Sequence, residues 1–414
     1  MRLVRFDDGA IGAIVAYYLY KATNAVEFYR PIMFIYFLAQ GLTFTEIAVL
    51  EALYNLTTVF GEVPTGYLGD RVGRRNSLLI GTVLITLTLV GIGLAESFPV
   101  FAGLYIAWSL GYTFRSGSED AWVYDTLSDA ISEERFTHVR GRGESVALGI
   151  GVVAAVVGGY LGGIDLSYPW FVAAAVTSLG VVALLAMGEP ETYRKSGSDR
   201  LGIRQTLGIV RDAIGRRDLR SFILYYYVLF AAVTYLVFIF LQPIFESVVV
   251  GLGVPRSQVE PLLGWFYAGY SLLGAALSYY AGAIKERIGL RTWFLVLPFG
   301  IGGALVAMFV VPILALPTLL LTRGIVDVTR SLAGQFVNDR IETVGRATVL
   351  SAMAMVSGLT VVPFQLGSGV LSDLVSPLFA LAVGGATLVV GAGLILLWEP
   401  PMSVDGVSLR HLIE

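Results

Sequence analysis

Gly66-Tyr67-Leu68-Gly69-Asp70-Arg71-Val72-Gly73-Arg74-Arg75 is a short charged stretch set between two long apolar runs. A degenerate copy, Gly282-Ala283-Ile284-Lys285-Glu286-Arg287-Ile288-Gly289-Leu290-Arg291, follows 216 residues further on. Gly66 meets Gly282, Arg71 meets Arg287, Gly73 meets Gly289 and Arg75 meets Arg291, while Asp70 meets Glu286 and keeps its charge. Arg115-Ser116 and Arg330-Ser331 recur at nearly the same offset. A basic turn in the same place in each half marks a chain built twice on one plan.

Composition sets the environment. The 414 residues are 56% hydrophobic and only 14% charged, with a mean hydropathy of +0.75. A soluble domain carries about 25% charged residues, so disorder and a soluble multidomain enzyme are both excluded. The chain has no cysteine, which removes disulfides, thiolate metal sites and a cysteine nucleophile. His138 and His411 fall in expected loops, and a formal net charge of -3 gives no footprint for nucleic acid. No zinc-ligand helix, nucleophile elbow, phosphate-binding loop or dinucleotide fingerprint is present, so no cofactor or metal is expected.

In chain order, apolar segments are expected at about 10–39, 45–67, 76–95, 99–127, 144–164 and 168–187. A polar stretch, 189–220, follows, with an amphipathic helix expected at 201–214. A second set of six spans begins at 221 and ends near 398. Twelve spans of about 20 residues use roughly 240 positions, and the divisions read as bundles 1–188 and 221–398, a linker 189–220 and a tail 399–414. The N-terminus shows no signal-peptide pattern. Of the 28 Lys and Arg residues, 22 lie in the set of loops that includes both termini, one (Arg256) lies in the other set, and five lie within spans. The positive-inside rule then puts both termini in the cytoplasm.

The first decapeptide resembles the loop motif of the major facilitator superfamily, G-x-L-x-D-R-x-G-R-R/K, matching at every fixed position. The resemblance covers about residues 9–398. It implies an all-helical integral membrane fold of two pseudo-symmetric six-helix bundles, and a non-enzymatic secondary transporter of the plasma membrane working by alternating access. Its implied partners are a small-molecule solute, protons and lipid, with the chain acting as a monomer. Arg115 resembles in part the span-four arginine of proton-coupled members. Gly158 to Gly163 resembles the span-five antiporter motif G-P-x-x-G-G with Gly159 in place of the proline, although glycines there also permit close helix packing.

Charges inside spans locate the candidate site. Lys21, Asn24, Glu27 and Arg30 recur every three residues in span one, sharing one broad helical face. Span four holds Arg115, Glu119 and Asp120, and span ten holds Arg323, Asp327 and Arg330. Facing lipid, the nine charges would cost on the order of 20–30 kcal/mol, so they face water or one another. Spans one, four, seven and ten line the central cavity in the family, and the aromatic span seven adds Tyr227 and Tyr235. The spacing of Arg115 with Glu119 and of Arg323 with Asp327 also lets each pair neutralise itself within its helix. Glu27 and Asp327, expected near the midplane, are the proton-carrier candidates. A mixed-charge wall fits a polar or amphipathic organic solute, imported or exported.

The motif itself reads as a cytoplasmic gate formed by Gly66, Asp70, Arg71, Gly73, Arg74 and Arg75, echoed by Glu286 and Arg287. Asp70 can sit against a helix N-terminus, and the arginines can pair with Glu144 or Asp125. Two other readings fit parts of the sequence: a non-transporting sensor of the same fold, and an intramembrane prenyltransferase using Asn338, Asp339, Glu342, Asp125 and Asp129 to hold Mg²⁺. The irregular spacing and Arg340 among the ligands count against the latter.

Overall fold

The apolar runs become helices, in the order α1 (Asp8–Asn24), α2 (Met33–Ala39), α3 (Phe44–Val72), α4 (Arg74–Leu94), α5 (Phe98–Ser128), α6 (Glu133–Ile164) and α7 (Tyr168–Ala186). The second half continues with α8 (Arg217–Phe222), a π-helical segment (Ile223–Phe230), α9 (Ala231–Gly251), α10 (Val259–Tyr279), α11 (Ala281–Arg287), α12 (Leu290–Val310), α13 (Ala315–Asn338), α14 (Arg346–Leu374) and α15 (Pro377–Trp398). This computed structural model describes residues 8–128, 133–186, 217–340 and 346–401, together with Gly208 and Gly215. Apart from Gly208, the linker helix expected at 201–214 lies outside the described residues, as does His411.

The charged decapeptide is not a loop. Helix α3 runs through it to Val72 and α4 starts at Arg74, leaving Gly73 alone between them at φ 95°. The second copy repeats the device at Gly289, φ 78°, before α12. An L side chain at such a φ is strained, so the glycine shared by both copies is the residue that lets two helices meet almost without a connection.

Span one is not a single helix either. It stops at Asn24 and resumes at Met33, with 25–27 irregular and 28–32 folded as turns. Pro31 supplies the reason: it has no N–H, its ring crowds the carbonyl four residues back at Glu27, and it biases Arg30 away from helical geometry. Short turn bonds satisfy the backbone instead, from Glu27 N to Ala25 O at 3.0 Å, Arg30 N to Glu27 O at 2.9 Å and Ile32 N to Tyr29 O at 3.0 Å. The shared helical face expected for Lys21, Asn24, Glu27 and Arg30 therefore does not exist; the first two end α1 and the others sit in the break.

Among the described residues, eight stretches are long and apolar enough to cross a membrane by length and composition. The other four expected spans fall on α1–α2, α3, α5 and α10. Of these, the first is interrupted, and α3 and α5 carry Glu51, Glu62, Arg115 and Glu119 within their apolar sequence.

The described residues divide into two compact units, drawn from within Met1–Leu42, Leu53–Arg200 and Val254–Gly269 for the first, and from within Thr43–Ala52, Leu201–Gly253 and Tyr270–Glu414 for the second. In the first, α4 packs along α5 and α7, and α1 against α6 and α7. Trp170 anchors its core: Tyr29 from the break stacks on it at 4.5 Å, and Tyr36, Phe37 and Trp108 surround it. In the second, α12 packs on α15, and α9 is enclosed by α13, α14 and α15. Helix α9 is buried along most of its length, as a helix that is apolar on nearly every face should be.

Candidate functional site

In the first unit, the end of α1 gathers the charges of span four. Lys21 Nζ lies 2.6 Å from Glu119 Oε1 and 2.8 Å from Glu144 Oε1, with Lys21 and Glu119 mostly buried. Arg115, one turn before Glu119 on α5, donates from Nε to the hydroxyl of the fully buried Tyr20 at 3.2 Å and lies over its ring. The expected self-neutralising pair of Arg115 with Glu119 is thus replaced by contacts between helices. Crowding on one α-helical turn favours this: α1 offers both a cation and a hydroxyl to the face of α5 on which positions i and i+4 lie together.

The break carries its own ion pair. Arg30 donates from Nε to Glu27 Oε2 at 2.8 Å and from Nη2 to Oε1 at 3.0 Å, a two-pronged carboxylate grip. Asn24, at the last turn of α1, has both side-chain amide atoms buried without a hydrogen-bond partner. The side chains of Asp120 and Asp125 lie outside the described residues.

The glycines of α6 bring the break close. A Cβ on Gly158 would sit 1.9 Å from the Phe28 carbonyl oxygen, and one on Gly159 would sit 2.5 Å from the Glu260 carbonyl oxygen of α10. Backbone meets backbone there, so the stretch that resembles an antiporter motif acts in this structure as a packing surface.

In the second unit, Tyr227 lies in the π-helical segment, whose changed register leaves its carbonyl to accept from Ser357 Oγ at 2.8 Å. Tyr235 donates its hydroxyl to Glu51 Oε2 at 2.7 Å. Glu51 is 4% exposed and was not singled out from the sequence; a lone acid inside the apolar run Ile47–Ala52 was the available signal. Gln365 of α14, fully buried with both amide atoms unpartnered, was missed as well.

Span ten also departs from the expected pairing. Asp327 Oδ1 lies 3.9 Å from Arg330 Nη1, both side chains well exposed. Arg323 does not turn to Asp327; its guanidinium lies over the rings of Phe238 and Tyr270, 5.4 Å from each centroid.

Of the residues expected to form a gate, Arg71 and Arg75 make contacts other than with Glu144, and the side chain of Asp125 lies outside the described residues. Glu144 is taken by Lys21. Arg75 donates to the carbonyls of Leu184 and Leu185 at 2.9 and 3.0 Å, satisfying two of the orphan acceptors at the C-terminal end of α7. Arg71 lies over the ring of Tyr67. Gly66 is buried in α3, and Asp70 is in the last turn of that helix, half-buried. In the second copy Lys285 Nζ stands 3.9 Å from Asp339 at the end of α13, while Glu286 and Arg287 are exposed. Asp339, one of the carboxylates weighed as a Mg²⁺ ligand, faces this lysine.

A family model described as Major Facilitator Superfamily matches residues 3–359. The Uncharacterized MFS-type transporter YxaM of Bacillus subtilis (strain 168) is 23% identical over 146 residues, 35% of this chain and 36% of that one. The Tetracycline resistance protein, class E, of Escherichia coli is 30% identical over 171 residues, 40% of either chain. The match thus spans well under half the length of these curated relatives. Among solved structures, the nucleoside transporter NupG superposes with a TM-score of 0.75 at 13% identity, over 94% of this chain and 99% of that one. A bacterial homologue of iron transporter ferroportin in the inward-facing state gives 0.68 at 13% identity, over 94% and 98%. At such identity the likeness is one of fold.

Proposed function

The chain belongs to the Major Facilitator Superfamily, and from that premise we propose that it is a proton-coupled secondary transporter moving a small polar or amphipathic organic solute across the cytoplasmic membrane by alternating access. One observation carries the reading. The first span is unwound at 25–32, and Lys21, Asn24, Glu27, Arg30, Arg115 and Glu119 cluster at and beside the break. Irregular backbone at membrane depth is tolerated where it is buried in protein or lines a cavity, and interrupted helices with charged neighbours are where transporters hold their cargo.

Twelve spans with both termini cytoplasmic, in bundles 1–188 and 221–398, agree with the lopsided distribution of Lys and Arg. The two basic motifs act at the cytoplasmic side: Arg75 ties α4 to the end of α7, and Lys285 reaches Asp339. Contacts of that kind differ between conformations and so bias their populations. The relative named for tetracycline resistance makes export the direction to test first.

The test is reconstitution into proteoliposomes, after a thermal-shift screen of purified protein against a broad solute panel at two pH values has supplied a hit. Solute movement driven by an imposed pH gradient, and lost when Asp327 becomes Asn, is the expected result. Solute movement that ignores the gradient sinks the proton coupling. A hit that stabilises the protein but never crosses the bilayer favours the sensor reading instead.

A further inference from the structure

Resting on the transport reading, we propose that the solute is an organic monocarboxylate and that Arg323 grips its carboxylate. Arg323 stands in α13 at mid-length, in a helix long and apolar enough to cross the membrane. A guanidinium cannot shed its proton under physiological conditions, so a position inside a span must supply an anion, water or both. Two carboxylates of the same unit are engaged elsewhere. Asp327 lies one turn further on and faces Arg330, and Glu51 receives the Tyr235 hydroxyl. Among the described residues no carboxylate pairs with Arg323, and its Nε is buried with no acceptor. The contacts it does make are two aromatic faces.

Those faces explain the form of the ligand. Cation–π contact holds a guanidinium against a ring without using the N–H donors that lie in its own plane, which stay available for an acceptor. Arg presents them as a rigid fork matched to a carboxylate. Phe238 is itself fixed by an edge contact with Tyr235 at 5.6 Å, so the arginine is set by α9 and α10 before any ligand arrives. A single cation balances a single negative charge; a phosphate monoester dianion would need a second. Arg115 of the first unit does not share this character, because its Nε already donates to Tyr20.

The experiment measures equilibrium binding to purified full-length protein for benzoate, phenylacetate and indole-3-acetate, each beside its own carboxamide. Carboxylates are expected to bind and carboxamides to bind far more weakly. Arg323→Gln should weaken carboxylate binding by about tenfold to a hundredfold, the range for a hydrogen-bonded charge, and Arg323→Lys should fall between. If Arg323→Gln does not purify in a folded state, the Lys variant and the wild-type preference carry the test. No preference for carboxylate over carboxamide, or a preference unchanged in the variants, overturns the proposal. Parallel uptake of the same probes into proteoliposomes separates the two readings. Binding without uptake keeps the site and removes transport, whereas transport of other solutes with no carboxylate preference does the reverse.

Discussion

Replacing Lys21 with Met removes the cation that two carboxylates share. At 2.6 Å and an effective dielectric of ~20, the Coulomb attraction to Glu119 is about 6 kcal/mol. Desolvation of two mostly buried ends, at 14% and 18% exposure, offsets the larger part of it. The surplus expected is a coupling of about 2 kcal/mol, within the span measured for contacting residues. Lys21→Met alone should destabilise by about 3 kcal/mol, because it strands a carboxylate in a dry setting. Glu119→Gln alone should cost about 1 kcal/mol, since Glu144 at 2.8 Å still serves the lysine. The double variant should then cost less than the two added together. Equilibrium unfolding in mixed detergent, run on all four proteins of the cycle, reads the difference. Single effects that simply add, with a coupling below about 0.5 kcal/mol, would mean that the pair is a solvated surface contact and would refute the account of the cluster.

Three further outcomes follow from the geometry. Gly158→Val places branched carbons where a Cβ already falls 1.9 Å from Phe28 O, so the break must move; a loss of at least 3 kcal/mol, or failure to purify, is expected, and a neutral variant would disprove the close approach. Asp373 at the end of α14 accepts from the backbone N–H of Phe44 and Thr45 at 2.8 and 2.9 Å and from Thr45 Oγ1 at 2.5 Å, capping α3 from the far end of the chain. Asp373→Ala should cost about 1–2 kcal/mol in the same unfolding assay, with Asp373→Asn milder. At the turn between α6 and α7, the hydroxyl and backbone N–H of Ser167 hold the Asp165 carboxyl below its ordinary range. A depressed folded-state value gives stability that is present above the unfolded value near 4 and lost as pH falls through the folded one. Asp165→Asn should therefore lower stability at neutral pH and flatten the acid limb, the variant and wild-type profiles converging as pH falls through the folded-state value; an unaltered acid limb argues against that bond.

Much of the fold was legible because its signals are local. The decapeptide, its copy and the hydropathy of the runs each sit within a few residues, and Gly73 and Gly289 stand where the backbone turns. Pro31 was in view beside the charged repeat and marks the break, yet the three-residue spacing of Lys21 to Arg30 suggested an unbroken face. Pairings were less legible than positions. Arg115 and Glu119 are close in sequence, and only the three-dimensional structure shows that Glu119 prefers a lysine 98 residues away. Glu51 escaped notice because its partner, Tyr235, is 184 residues distant, and sequence patterning has no term for such a contact. The same holds for Arg323, whose rings come from two other helices.

The break in the first span also bears on how the chain enters a bilayer while it is being made. An insertion machinery that responds to about 20 continuous apolar residues meets first a helix of 17 residues ending in Lys21 and Asn24, then a charged interruption, then a helix of only seven. Each charge weakens its partition into lipid by roughly 2.5–3.5 kcal/mol. What compensates them has not yet been synthesised: Glu119, Glu144, Gly158 and Trp170 emerge about 100 to 150 residues later. At about 5–20 residues per second, the leading helix waits of the order of ten seconds for the helices that make its place habitable. The nascent first span is therefore a client of its own later sequence, and truncation before α7 should leave it poorly anchored in the membrane.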